Sequence, residues 1–268
     1  MLDERIERIP ATGIDESHQR REATVLLAAI FLVAGCGLIY ELLIATVSSY
    51  LLGSSVTQFS LAIGTFVGAM GLGSHLSQYV HTRLLERFVL VEVVLACIGG
   101  ASVPLLYWTY ATGPLYTLVL YAVLATVGAL TGLELPLVTR LLGAYGSLRE
   151  VIARALSFDY VGALVGSLVF PLVLLPALGL VRTALAVALV NLAVALWTIR
   201  LFWGRLPGPR LLGLALAVAA LLGTGFAFSF RLTTLLEERL YEDEVVYTEQ
   251  TPYQRIVFTR WREDLRLF

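Results

Sequence analysis

The chain has 268 residues, of which 58% are hydrophobic and only 15% charged, and its mean hydropathy is +0.81, whereas soluble domains carry about 25% charged residues. An apolar surplus of this size has to face lipid and excludes an ordinary soluble globule. A net charge of −1, with all 19 basic residues arginine and no basic stripe among them, argues against nucleic acid as a partner.

Ionisable groups gather in residues 1–22 and 231–268, so the two ends read as the water-soluble parts. The N-terminal segment mixes acids and bases with no apolar run directly behind a basic start, so it does not read as a cleaved signal. A helix that crosses the hydrocarbon core needs roughly 20 apolar residues with every backbone polar group satisfied internally. Candidate spans cover 23–47, 54–80, 88–109, 114–140, 153–176, 180–201 and 210–230. The expected fold is an all-α polytopic membrane helix bundle of about seven transmembrane helices, followed by a short C-terminal β-hairpin fragment. Turn chemistry separates the spans at Gly53-Ser54, Gly113-Pro114, Pro176 to Gly179 and Pro207-Gly208-Pro209.

Arginines cluster before the first span and after the second, fourth and sixth, while the connections after the first and third carry no charge. Positive charge is retained in cytoplasmic loops, so the N-terminus is expected in the cytoplasm of a multi-pass inner-membrane protein. Seven crossings from that start leave the tail outside, unless an eighth crossing or a re-entrant segment near Pro171 and Pro176 intervenes. Gly64 and Gly68, Gly128 and Gly132, and Gly162 and Gly166 stand four apart, the spacing of close helix packing. Cys36 and Cys97 lie in apolar runs and read as small hydrophobes, with no disulfide or metal site. Trp108, Trp197 and Trp203 fall at span ends and read as interfacial anchors.

Ionisable side chains within spans are costly and so are functional candidates. Glu41, Glu134 and Asp159 form a candidate intramembrane cation site, with His75 nearby in depth and Glu92 taken as interfacial. The competing reading is internal charge neutralisation, in which these acids pair with Arg140 and Arg154. No zinc pattern, phosphate loop or Ser/His/Asp set appears in the spans.

After Phe230 the character changes. Residues 231–240 read as an amphipathic stretch at the interface, and Val245 to Thr248 and Arg255 to Thr259 read as strands around a turn at Gln250-Thr251-Pro252. A further turn at Arg262 to Asp264 leads to Leu265-Arg266-Leu267-Phe268, and the chain stops in mid-strand, as a fragment of a longer protein would.

The run Glu249-Gln250-Thr251-Pro252-Tyr253-Gln254-Arg255-Ile256-Val257, with the charged turn and Leu265 to Phe268 behind it, resembles the N-terminal β-domain of polyamine aminopropyltransferases, the spermidine synthase family. Gly35 to Leu42 and Ser157 to Leu168 are similar to the membrane region fused to bacterial spermidine synthases of the integral membrane type. The resemblance implies domains at 1–22 (cytoplasmic), 23–230 (transmembrane) and 231–268 (interfacial helix and truncated start of the β-domain). It implies aminopropyl transfer from decarboxylated S-adenosylmethionine to putrescine, with donor contact at Gln254, no further cofactor, and catalytic carboxylates beyond the present sequence. Expected partners are the lipid bilayer and polyamines such as putrescine and spermidine, and a homo-oligomer is compatible with the sequence. Two other readings stay open. One is a polyamine or cation transporter-like module, because the loop from Gly73 to Phe88 is placed like the signature loop of major facilitator carriers; the other is a purely structural anchor.

Overall fold

The computed structural model describes residues 16–230, 244–250, 255–261 and 264–267. Among these residues, seven helices run α1 (Glu16–Leu52), α2 (Ser55–Leu76), α3 (Leu84–Thr112), α4 (Tyr116–Leu142), α5 (Leu148–Val169), α6 (Leu175–Leu201) and α7 (Gly208–Ala227). Three strands follow, β1 (Glu244–Gln250), β2 (Arg255–Trp261) and β3 (Asp264–Leu267). The helical form follows from composition, because an apolar chain in lipid must satisfy its amides within each segment. The breaks fall where the turn residues predict: Gly53, Gly113 and Gly179 all have positive φ, and Pro207 precedes α7.

Six stretches are long and apolar enough to cross a membrane, rather than seven. The difference arises because α5 and α6 are joined through a π-helical turn, Phe170–Leu174, into one stretch of 54 residues, Leu148–Leu201. Unbroken, that stretch would be roughly 80 Å long. It is broken at Gly179, whose φ of 70° and ψ of −177° interrupt the helix. The core shows what the break does to the path. Val151 and Ala155 of α5 pack in one apolar cluster with Leu26, Phe88 and Val138. Phe170 and Leu180 belong to a second cluster with Tyr40 and Leu106, and Val194 and Phe202 are back in the first. The chain thus travels from one end of the bundle to the other and returns.

Two helix pairs approach most closely, and glycine sets both. Along α4, a Cβ at Gly128 would stand 2.7 Å from the Phe66 carbonyl oxygen of α2, and one at Gly132 would collide with Met70. Along α5, a Cβ at Gly166 would stand 2.6 Å from the Gly35 carbonyl oxygen of α1, and one at Gly162 would strike Phe31. Two of the three expected small-residue seams therefore exist. The third does not: at Gly64 and Gly68 nothing lies within 4 Å of the place a Cβ would take, because α2 turns Phe66, Met70 and Gly73 toward α4 and these two glycines away from it.

At the end of the bundle where α1 begins, Tyr145 in the α4–α5 connection donates to Glu22, and Arg205 after α6 donates to the same carboxylate at 3.1 Å. Burial, with the Glu22 hydrogen bond second, holds the Tyr145 hydroxyl above its ordinary pKa, so it remains a donor at neutral pH. Trp108, Trp197 and Trp203 are exposed. The strands form an antiparallel sheet in the order β1-β2-β3, with an irregularity between Val245 and Tyr247. Tyr247 faces Phe258 across it, ring centroids 6.0 Å apart. The two expected strands thus pair as a hairpin, and the partial strand expected from Leu265 is β3, paired to β2. Residues 231–243 and Gln254 lie outside the described residues.

If the α2–α4 seam carries the packing, Gly132→Ala should lose about 1–3 kcal/mol by overpacking. Gly68→Ala should be neutral or gain up to about 1 kcal/mol in helix propensity. Thermal unfolding of the two variants in detergent makes the comparison, and equal losses would mean that the contact at Gly132 is no tighter than the rest of α2 and α4.

Candidate functional site: an acidic cavity among the helices

Between the α1–α5 pair and the α2–α4 pair lies a cavity of about 460 Å³, within the usual range of roughly 300–1,000 Å³ for small-molecule sites. The two pairs leave room there because α4 and α5 touch only lightly and α2 makes no substantial contact with α5. Most of the wall is apolar, including Val33, Leu38, Phe66 and Met70. Its polar groups are Glu41 of α1, Ser74 of α2, Thr131 and Glu134 of α4, and Asp159 of α5. The three acids singled out in the sequence are therefore brought to one cavity by three different helices.

Glu134 is 3% exposed and Glu41 6% exposed, while Asp159 is half-buried. Both carboxylate oxygens of Glu134, and the Thr131 hydroxyl, are buried without a hydrogen-bond partner among the described residues. A backbone acceptor sits beside them. Pro136 lies inside α4 and has no N–H, so the carbonyl of Gly132, four residues earlier and also in the cavity wall, loses its helical donor.

Glu92 overturns its expected interfacial place. It lies eight residues into α3, on the inward face with Phe88, Val89 and Val93, and is fully buried. It reaches the Glu134 carboxyl directly. As two acceptors, the carboxylates form no hydrogen bond unless a proton lies between them, and neither has another partner among the described residues. Two acids in contact in an apolar interior cannot both be charged without a counter-ion. The pair must hold a proton or meet a cation. A sequence signal for Glu92 existed, its place in Val91-Glu92-Val93-Val94 within an apolar run, but periodicity alone did not say which face would turn inward.

The neutralising arginines are elsewhere. Arg140 donates to the Ser77 and Val80 carbonyls at 2.6 and 2.8 Å, capping the end of α2 and the turn behind it. Arg83 pairs with Glu86 and Arg205 with Glu22, and neither arginine reaches Glu41, Glu92, Glu134 or Asp159. His75 is exposed at the end of α2, 2.9 Å from Gln78 Nε2, and does not join the cavity. Asn191 of α6 and Tyr40 of α1 are further buried polar groups without partners among the described residues, neither of them anticipated from sequence.

This is the arrangement of a polytopic helical protein with acids in its apolar interior, joined in sequence to an antiparallel sheet. No family model and no solved structure matches the chain. Among curated proteins it is 44% identical over 270 residues to polyamine aminopropyltransferase 1 of Ralstonia nicotianae, an alignment covering 97% of this chain and 51% of that protein. It is 40% identical over 246 residues to polyamine aminopropyltransferase of Leptospira interrogans, covering 91% and 49%. With polyamine aminopropyltransferase 1 of Streptomyces coelicolor the identity is 39% over 279 residues, covering 100% and 52%. The chain is a homologue of proteins named polyamine aminopropyltransferase, as the resemblance implied, and it spans about half the length of the relatives it matches.

Because Glu92 and Glu134 lack a fixed donor, Glu92→Gln should keep the fold and gain about 1 kcal/mol, its amide donating to Glu134. The melting temperature in detergent checks this; a large loss would mean that Glu92 is held by a partner other than Glu134.

Proposed function

We propose that the chain is the membrane domain, with the start of the catalytic domain, of a membrane-bound polyamine aminopropyltransferase of the spermidine synthase type. Similarity over nearly the whole chain to proteins of that name carries the reading. Residues 23–230 anchor the enzyme in the inner membrane, and residues 231–268 lead through an interfacial segment into the small sheet. Because the chain spans about half of its relatives, the donor-binding half belongs to the remainder of such a protein. The relatives' names do not favour a transporter or a bare anchor.

The chemistry defines what that half must supply. The amine nitrogen of putrescine attacks the carbon next to the sulfonium of decarboxylated S-adenosylmethionine, a C–N bond forms as the C–S bond breaks, and methylthioadenosine leaves. A carboxylate takes the amine proton, and acidic side chains hold both cationic substrates in line. Gln254 would contact the donor, and this chain alone would be inactive. Two partners complete the reading, the lipid bilayer and polyamine.

In this reading the α5–α6 stretch makes two crossings, giving seven. Arg87, Arg140, Arg149, Arg200 and Arg205 then stand at one face, with Glu22 and Tyr145, and that face is cytoplasmic. Arg182 donates to Ser229 beyond α7 at 2.9 Å, so α7 ends at the opposite face. Replacing Cys36 and Cys97 and placing a cysteine at Thr248 tests the arrangement. Protection until lysis is the result the enzymatic reading requires, because the nucleoside donor is cytoplasmic, and it would show the span count to be short by one; labelling by an impermeant reagent in intact cells would keep seven crossings and make a cytosolic aminopropyl transfer untenable. The enzymatic reading is tested separately. Membranes containing the full-length protein should form spermidine and methylthioadenosine from the two substrates, and a full-length protein lacking a glycine-rich donor loop and an aspartate pair would sink it.

A further inference from the structure

We propose that the cavity between α1, α2, α4 and α5 is a binding site for an aliphatic polyamine, in which Glu41 and Asp159 are the counter-ions of separate ammonium groups and the Glu92–Glu134 pair stands behind the wall. The choice of a polyamine over other alkylammonium ions rests on the preceding functional reading; the existence of a cation site rests on the cavity itself.

Three observations support the site. Glu41, only 6% exposed, lines a space large enough for a ligand and meets no cationic side chain, since no arginine, lysine or histidine lines that space. An acid in that position is left with a proton or with an entering cation. Next, an ammonium group needs up to three acceptors, and Ser74 of α2, exposed in the same wall, adds a hydroxyl oxygen to the carboxylates. Finally, the acids come from α1, α4 and α5 and, among the described residues, form no cluster that could enclose one metal ion. Carboxylates set apart along an apolar wall match a flexible chain carrying several separated charges on methylene segments. The methylenes would lie against Leu38, Val67 and Met70, which a hydrated inorganic ion has no use for.

Gly71 of α2 lines the cavity and is exposed, with nothing within 4 Å of the place its Cβ would take. It therefore offers a way to close the site without disturbing the packing. No charge is altered by such a closure.

The test is binding of tritiated spermidine to the purified chain in lipid nanodiscs, with putrescine, n-butylamine and sodium chloride as competitors. Saturable binding is expected, displaced by putrescine more readily than by n-butylamine and least by sodium. Glu41→Gln should weaken it by about tenfold or more, the loss of one charge-assisted hydrogen bond, and Gly71→Leu should abolish it, both without loss of thermal stability. The proposal is overturned if folded protein shows no saturable binding, if both variants bind as before, or if sodium competes as well as putrescine. Should the full-length protein prove inactive as a transferase while this binding persists, the enzymatic reading fails and the site stands. Transferase activity without binding in the cavity leaves the enzyme standing and removes the site.

Discussion

Everything distinctive in the bundle depends on the contact of helix backbones at glycine. Where Gly128 and Gly132 meet Phe66 and Met70, and Gly162 and Gly166 meet Phe31 and Gly35, two pairs of helices are drawn together as closely as backbones allow. In lipid, where burying apolar surface brings little gain, such close packing supplies much of the association between helices. The side chains displaced from those seams occupy the ground between the pairs, and they do not fill it. The cavity is what remains.

That cavity carries an electrostatic problem. Glu41, Glu134 and Asp159 border it and Glu92 stands behind Glu134, yet Arg140, the arginine nearest to Glu134 in sequence, is committed to helix-end carbonyls at Ser77 and Val80. A cation at a helix C-terminus also meets the negative end of its dipole, which favours that commitment. The interior acids therefore keep their demand for a proton or a cation. A bundle serving only as an anchor has no need of such an arrangement, and leucines in the same places would pack with less strain.

Much of this was legible in the sequence, for reasons that differ by feature. Turn glycines at 53, 113 and 179 and the apolar runs between them determined the helices, because length and hydropathy are local properties. The strands at Val245 to Thr248 and Arg255 to Thr259 were equally local, and the expected pairing is present, with β3 added. The identities of the three cavity acids were also visible, since any carboxylate in an apolar run draws attention. Facing was not visible. Whether Glu92 turns to the interface or the core, whether Gly64 and Gly68 or Gly73 meets α4, and whether Arg140 serves an acid or a carbonyl are all decided by rotation of one helix against another.

The break at Gly179 has a consequence for how the chain's reversal is encoded. Most helical hairpins announce their reversal with a hydrophilic loop, which biosynthetic machinery can read as polarity. Here the run Leu148–Leu201 carries only Arg182 as a charge between Asp159 and Arg200, and a single backbone torsion, a φ of 70° with ψ of −177°, interrupts the helix between Phe170 and Val194. The reversal is therefore written in backbone conformation, with one arginine three residues past the bend as its polar mark.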